Sequence, residues 1–169
     1  EKIYSENIEF LRLLRESSLE PPDILLIPSR AFLEKKLSER LAEWPRSLEP
    51  AGLERILEVL REASFHGVDP DTEEATELFS DYLLGRVKSL RERIDPREAA
   101  AMIHFMDLCF EAGIELQVRP AQNEMFDILE SAFRGSAESV PSLDRKSPRF
   151  RERAAAVLDV AARLNFNID

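Results

Sequence analysis

The chain has 169 residues, 23 basic against 33 acidic, two histidines and one cysteine, for a net charge of −10. A length of that order suits one all-helical domain spanning 1–169 that hides roughly 70% of its unfolded surface, so a core needs neither metal nor disulfide. Basic residues are interleaved with acids, as in RLLRE and LEKKLSERLAE, which gives solvated helix faces and not the clustered Lys and Arg that nucleic acid or an anionic membrane requires. No apolar run reaches the ~18 residues of a membrane span.

In chain order, Ile8, Leu11 and Leu14 form the stripe of a first helix, which fades at Ser17 and Ser18 before Pro21 and Pro22. The segment 23–27, DILLI, is a short strand, a turn of helix or an extended packing segment. Ser29 is the expected cap of a second helix with Leu33, Leu37, Leu41 and Trp44 on one side, ended by Pro45. A third starts at Pro50 and buries Leu53, Ile56, Leu57, Leu60 and Ala63 up to Gly67. A fourth carries Ala75, Leu78, Phe79, Tyr82, Leu83, Val87, Leu90 and Ile94, with Gly85 marking either a close neighbour or a bend.

Asp95, Pro96 and Glu98 make a start signal, with the carboxylate at the cap, Pro first and Glu third. The helix that follows, 96–112, is apolar on nearly all sides, which predicts a central helix with Ile103, Met106 and Phe110 enclosed. Pro120 opens another helix through Ala121, Met125, Ile128, Leu129 and Ala132, closed at Gly135. Residues 135–148 lack periodicity and read as a loop. Ser147 and Pro148 start a last helix along Phe150, Ala154, Val157, Leu158, Ala161 and Leu164. The expected fold is all-α, six to seven helices in stacked hairpins as a bundle or short solenoid-like array.

One unit recurs: a helical apolar run, a left-handed cap, then a short connector, at 56–71, 102–117 and 157–169. Gly67, Gly113 and Asn165 are the expected caps, since Gly adopts positive φ freely and Asn at modest cost. The two glycines are 46 positions apart, within the period of helical-hairpin arrays. On that basis residues 53–83 and 99–129 are expected to be equivalent hairpins.

Candidate chemistry is sparse. His66 and His104 lie on different helices without HExxH or a second cysteine, so neither a metal site nor a cofactor is expected. His104, Asp107 and Glu111 follow one helix face; they read as a polar seam, or as an acid–base strip if burial shifts their proton affinities. Arg119, Gln122 and Asn123 place donors at a helix start, suited to sugar hydroxyls or a partner's backbone, or simply to capping. Trp44 is a core residue or, if exposed, a platform for a sugar ring. Cys109 sits among apolar neighbours as a buried thiol. With one cysteine there is no internal disulfide, which permits a cytoplasmic setting. RKSPRFRER at 145–153 is the densest basic stretch, too short for a nucleic-acid stripe.

The segments LLRESSLEPPDILLIPSRAFLEKKL, REASFHGVDPDTEEATELFSDYL, FEAGIELQVRPAQNEMFDIL and AARLNFNID together resemble the helical C-terminal region of bacterial proteins related to the family-fifty-seven glycoside hydrolases, the α-amylase and α-mannosidase group. The resemblance spans nearly the whole chain, and RPAQNEMFDIL after AGIELQ is its most specific piece. It implies a non-catalytic accessory domain that packs on a catalytic barrel of the same polypeptide. The catalytic Glu and Asp of those proteins belong to that barrel, so no catalytic residue carries over. Since the sequence starts at Glu1, the chain is expected to be a piece of a longer protein or a processed product. The alternative is a helical-repeat module that binds a separate protein, and a third reading is a small enzyme using the Asp107 line.

Overall fold

The computed structural model describes residues 2–47, 50–133 and 148–165, and among them every regular element is a helix. The chain is all-α. Its contacts divide it into two compact units, Glu1–Ala75 and Thr76–Asp169. The division falls within a helix.

In the first unit, α1 (Lys2–Glu16) buries Leu11 and half-buries Ile8 and Leu14, as their spacing requires. It ends at Ser18, which takes φ 55°. The Ser18 amide donates to the carbonyl of Arg15 at 2.9 Å and the Leu19 amide to that of Leu14 at 2.8 Å. These are the two bonds of a Schellman stop, made here by a residue that pays for its Cβ.

Helix α2 (Asp23–Ser47) departs from expectation at both ends. Of the readings open for DILLI the turn of helix is the one found, as the first turn of α2, and the departures are Ser29 and Pro45, which lie inside the helix and not at its ends. The carbonyl of Pro22 accepts from the amides of Leu25 and Leu26 at 2.9 and 3.3 Å, so the helix nucleates directly behind the two prolines. Ser29 is therefore inside the helix, where its Oγ donates to the Leu25 carbonyl at 2.6 Å and caps nothing. Pro28 and Pro45 are both carried within α2; proline removes one backbone bond and strains the preceding turn, a cost of about 3 kcal/mol that burial elsewhere must offset. That burial comes from Leu33, Leu37, Leu41 and Trp44, all at most 3% exposed.

Helix α3 (Pro50–Phe65) buries the expected stripe together with Val59 and packs along α2. Lys36 Nζ donates to Glu62 Oε2 across this pair at 2.8 Å. Gly67, at φ 70°, stops α3: its amide donates to the Ser64 carbonyl and that of Val68 to the Ala63 carbonyl at 3.1 and 2.9 Å.

The second unit holds most of α4 (Glu73–Glu92), then α5 (Pro96–Glu111), α6 (Arg119–Phe133) and α7 (Phe150–Arg163). In α4 the fully buried line is Phe79, Leu83, Val87 and Leu90, with Ile94 following. Nothing lies within 4 Å of a Cβ built on Gly85, so no close neighbour accounts for that glycine. The start of α5 is as the sequence predicts: Asp95 is extended at φ −114° and its Oδ1 accepts from the Arg97 amide at 2.9 Å. The Phe79 and Tyr82 rings make T-shaped contacts with Phe105 at centroid distances of 5.6 and 5.1 Å.

Helix α5 is not enclosed. Ala99, Met102, Phe105, Met106 and Cys109 form one buried stripe, Ile103 is half-buried and Phe110 is 77% exposed. Its main neighbour is α7, which buries Ala154, Ala156, Val157, Val160 and Ala161. The caps expected from the repeat are present, with Gly113 at φ 75° and Asn165 at φ 64°. The expected cap Ser147, the closing Gly135 and the loop between them lie outside the described residues, as does the side chain of Ala132.

Candidate binding site

His104, Asp107, Glu111, Arg119, Gln122 and Asn123 are not brought together into one site, and none of them lines the hollow that forms at the end of α5. After the Gly113 stop, the Ile114 amide donates to the Cys109 carbonyl at 2.9 Å, and the Ile114 side chain is buried at 4%. This apolar residue just past the cap fixes the direction in which the connector leaves the helix. The connector is held a second time by Ser80, whose Oγ donates to the Thr76 carbonyl at 2.6 Å and accepts from the Gln117 amide at 2.9 Å. Helix α6 then starts at Arg119.

Gln122 has a structural bond. Its Nε2 donates to the Leu164 carbonyl at 2.6 Å, satisfying one of the carbonyls that α7 leaves open at its end. Arg119 and Asn123 beside it are exposed and give no closed pocket. Of the polar line on α5, His104 and Glu111 are exposed, while Asp107 Oδ1 accepts from Arg163 Nε at 2.6 Å. Trp44 belongs to the first unit and is 3% exposed, so its ring has no face free for a sugar.

These fixings leave a hollow of about 330 Å³ at the ends of α5 and α7. Its apolar wall comes from Met106, Ile114, Leu116 and Val118, its rim from Phe110, Glu115 and Arg163, and the caps Gly113 and Asn165 complete it. The guanidinium carbon of Arg163 stands 6.0 Å from the Phe110 ring centroid, the outer reach of a cation–π contact. Arg163 thus bridges two α5 residues one turn apart, the carboxylate of Asp107 and the ring of Phe110. A large aromatic exposed at an apolar hollow is the kind of feature that marks a contact surface.

Phe110 and Arg163 were not among the sequence candidates. Counting apolar residues along 96–112 hides the phase of the helix: the buried stripe steps by three and four through Ala99, Met102, Met106 and Cys109, and Phe110 falls beside it. Arg163 carried no signal, because its partner Asp107 lies 56 positions earlier.

Nucleophilic chemistry finds little support. Cys109 is fully buried and burial pushes its thiol up to about 12, which keeps it protonated and unreactive. Among the described residues no group of three or more His, Cys, Asp or Glu could hold a metal ion, and no helix is long and apolar enough to cross a membrane. No family model, curated protein or solved structure matches the chain.

Proposed function

We propose that this chain is a non-catalytic helical interaction domain that docks another polypeptide at the hollow beside Phe110. The observation that carries the reading is Phe110 itself, 77% exposed at the mouth of an apolar hollow of about 330 Å³. That volume is at the low end for small-molecule sites, and it suits the side chains of a partner better than a whole ligand. In the form implied by the sequence resemblance, the partner is the catalytic barrel of a family-fifty-seven-like glycoside hydrolase and the chain is its accessory domain. The lone buried thiol accords with a cytoplasmic setting for such a protein.

The Asp107 line supports catalysis poorly. One Asp107 oxygen is already engaged by Arg163, and glycoside hydrolysis calls for two carboxylates about 5 to 10 Å apart across a cleft, whereas Glu115 is the one carboxylate among the lining residues described.

A display selection of random dodecapeptides on the immobilised chain tests the docking role. The expected binders shift the backbone amide signals of Gly113 to Val118 and lose about tenfold in affinity on Phe110→Ser. Binders that hold the Phe110→Ser variant as tightly as the parent would contradict it.

A further inference from the structure

Two helices end at the same hollow. Gly113 and Asn165, the left-handed caps of α5 and α7, both line it, so the C-terminal ends of two helices meet there and bias the hollow weakly toward positive charge. The Leu108, Cys109, Phe110, Val160 and Ala162 carbonyls accept from the capping amides and the Leu164 carbonyl from Gln122, so the helix ends contribute only a weak field and the charge of the rim is decided by side chains. Glu115 adds an exposed carboxylate to the rim.

The cation on the rim, Arg163, is already neutralised by Asp107 at 2.6 Å. It also shows what the exposed ring accepts, since its guanidinium carbon stands 6.0 Å from the Phe110 centroid, and most of the ring surface remains open to solvent. The wall of Met106, Ile114, Leu116 and Val118 matches the methylene stem of a long basic side chain, which lays its stem on apolar surface and keeps its charged head at the rim.

From these features we infer that the partner anchors itself with an arginine or lysine side chain, its stem on the apolar wall and its charge between the Phe110 ring and Glu115. The inference rests on the docking role proposed above and names its chemistry. An acidic anchor would meet the Glu115 carboxylate while the one cation of the described lining, Arg163, is already held by Asp107, and a neutral one would gain only the apolar wall. The net charge of −10 on the whole chain also favours the approach of a cationic partner.

The test is a nitrogen-15 NMR titration of the chain with the capped pentapeptide Ala-Leu-Arg-Leu-Ala and with the same peptide carrying citrulline, the neutral isostere of arginine. The arginine peptide is expected to shift the amides of Gly113 and Glu115. Its affinity should fall at least about fivefold with citrulline, with Glu115→Gln and with Phe110→Leu, which keeps the site apolar but removes the ring. Unchanged thermal unfolding of both variants excludes loss of fold. If the citrulline peptide binds at the same amides equally well, the cationic anchor is overturned and the docking role stands. If neither peptide shifts those amides, or shifts spread over exposed acids elsewhere, the anchor is overturned as well, and the display selection decides docking on its own.

Discussion

Gln122 Nε2 donates to the carbonyl of Leu164 at 2.6 Å, tying the first turn of α6 to the last turn of α7. Leu164 is fully buried, so the bond satisfies an acceptor at the edge of the core. Replacing Gln122 by Met keeps the volume and strands that carbonyl, at an expected cost of about 1 to 3 kcal/mol. Urea unfolding measures it, and a loss within 0.3 kcal/mol or so of zero would mean that water replaces the amide without penalty.

The glycines separate two roles of the same residue. Gly85 is helical with nothing within 4 Å of a built Cβ, so Gly85→Ala should stabilise by about 0.5 to 1 kcal/mol through the unfolded chain. Gly113, at φ 75° and equally open around its Cβ, should lose about 1 to 2 kcal/mol on the same change, because only the backbone conformation is at stake. Asn at position 113 should lose less than Ala, since Asn165 adopts φ 64° at the end of α7. Thermal unfolding of the three variants gives the order.

Two phenylalanines on neighbouring helices should behave oppositely. Phe79 is fully buried and meets Phe105 edge to face, so truncation to Ala should cost about 3 to 5 kcal/mol. Phe110 is 77% exposed, and Phe110→Ala should cost under about 1 kcal/mol, mostly its contact with Arg163. Similar losses at both sites would put α5 back in the interior.

His66 makes stability depend on pH. It is 3% exposed, and burial holds its imidazole below the ordinary 6.5, with Glu62 pulling weakly the other way. A base whose folded value is depressed binds its proton more readily in the unfolded chain, so its contribution is whole above about pH 6.5 and is lost as pH falls through the lower folded value. Between about pH 7 and 5 the urea midpoint of the parent should fall more than that of His66→Gln. Parallel curves would show that His66 titrates alike in both states.

The class of fold and most helix bodies are legible in the sequence because apolar periodicity and cap residues are local signals. Asp95 with Pro96, and the stops at Gly67, Gly113 and Asn165, all act within one turn of helix, so composition reveals them. Ser18 makes the same left-handed stop, but serine has no preference strong enough to announce it. The start of α2 was obscured by Pro28, which looks like a boundary and is carried inside a 25-residue helix. The division between units falls at Ala75, inside α4, where no linker composition marks it. At the candidate site the polar line was visible, whereas its dominant feature depends on helix phase and on the pairing of Arg163 with Asp107, which only the folded chain brings together.

The same separation governs turnover. If the chain acts by docking, the purified protein should show no hydrolysis of α-linked glucans or mannosides, and Asp107→Asn should change nothing. Turnover that disappears with Asp107→Asn would move the Asp107 line from the structure to the chemistry.

The central claim is that Phe110 and its hollow form a contact surface, and calorimetric titration of the tightest display-selected peptide tests it most directly. The account predicts a single site with a negative heat-capacity change, the mark of apolar burial, and a loss of about tenfold or more on Phe110→Ser with unfolding unaltered. Equal affinity for the parent and Phe110→Ser, with no heat-capacity change in either, would contradict it.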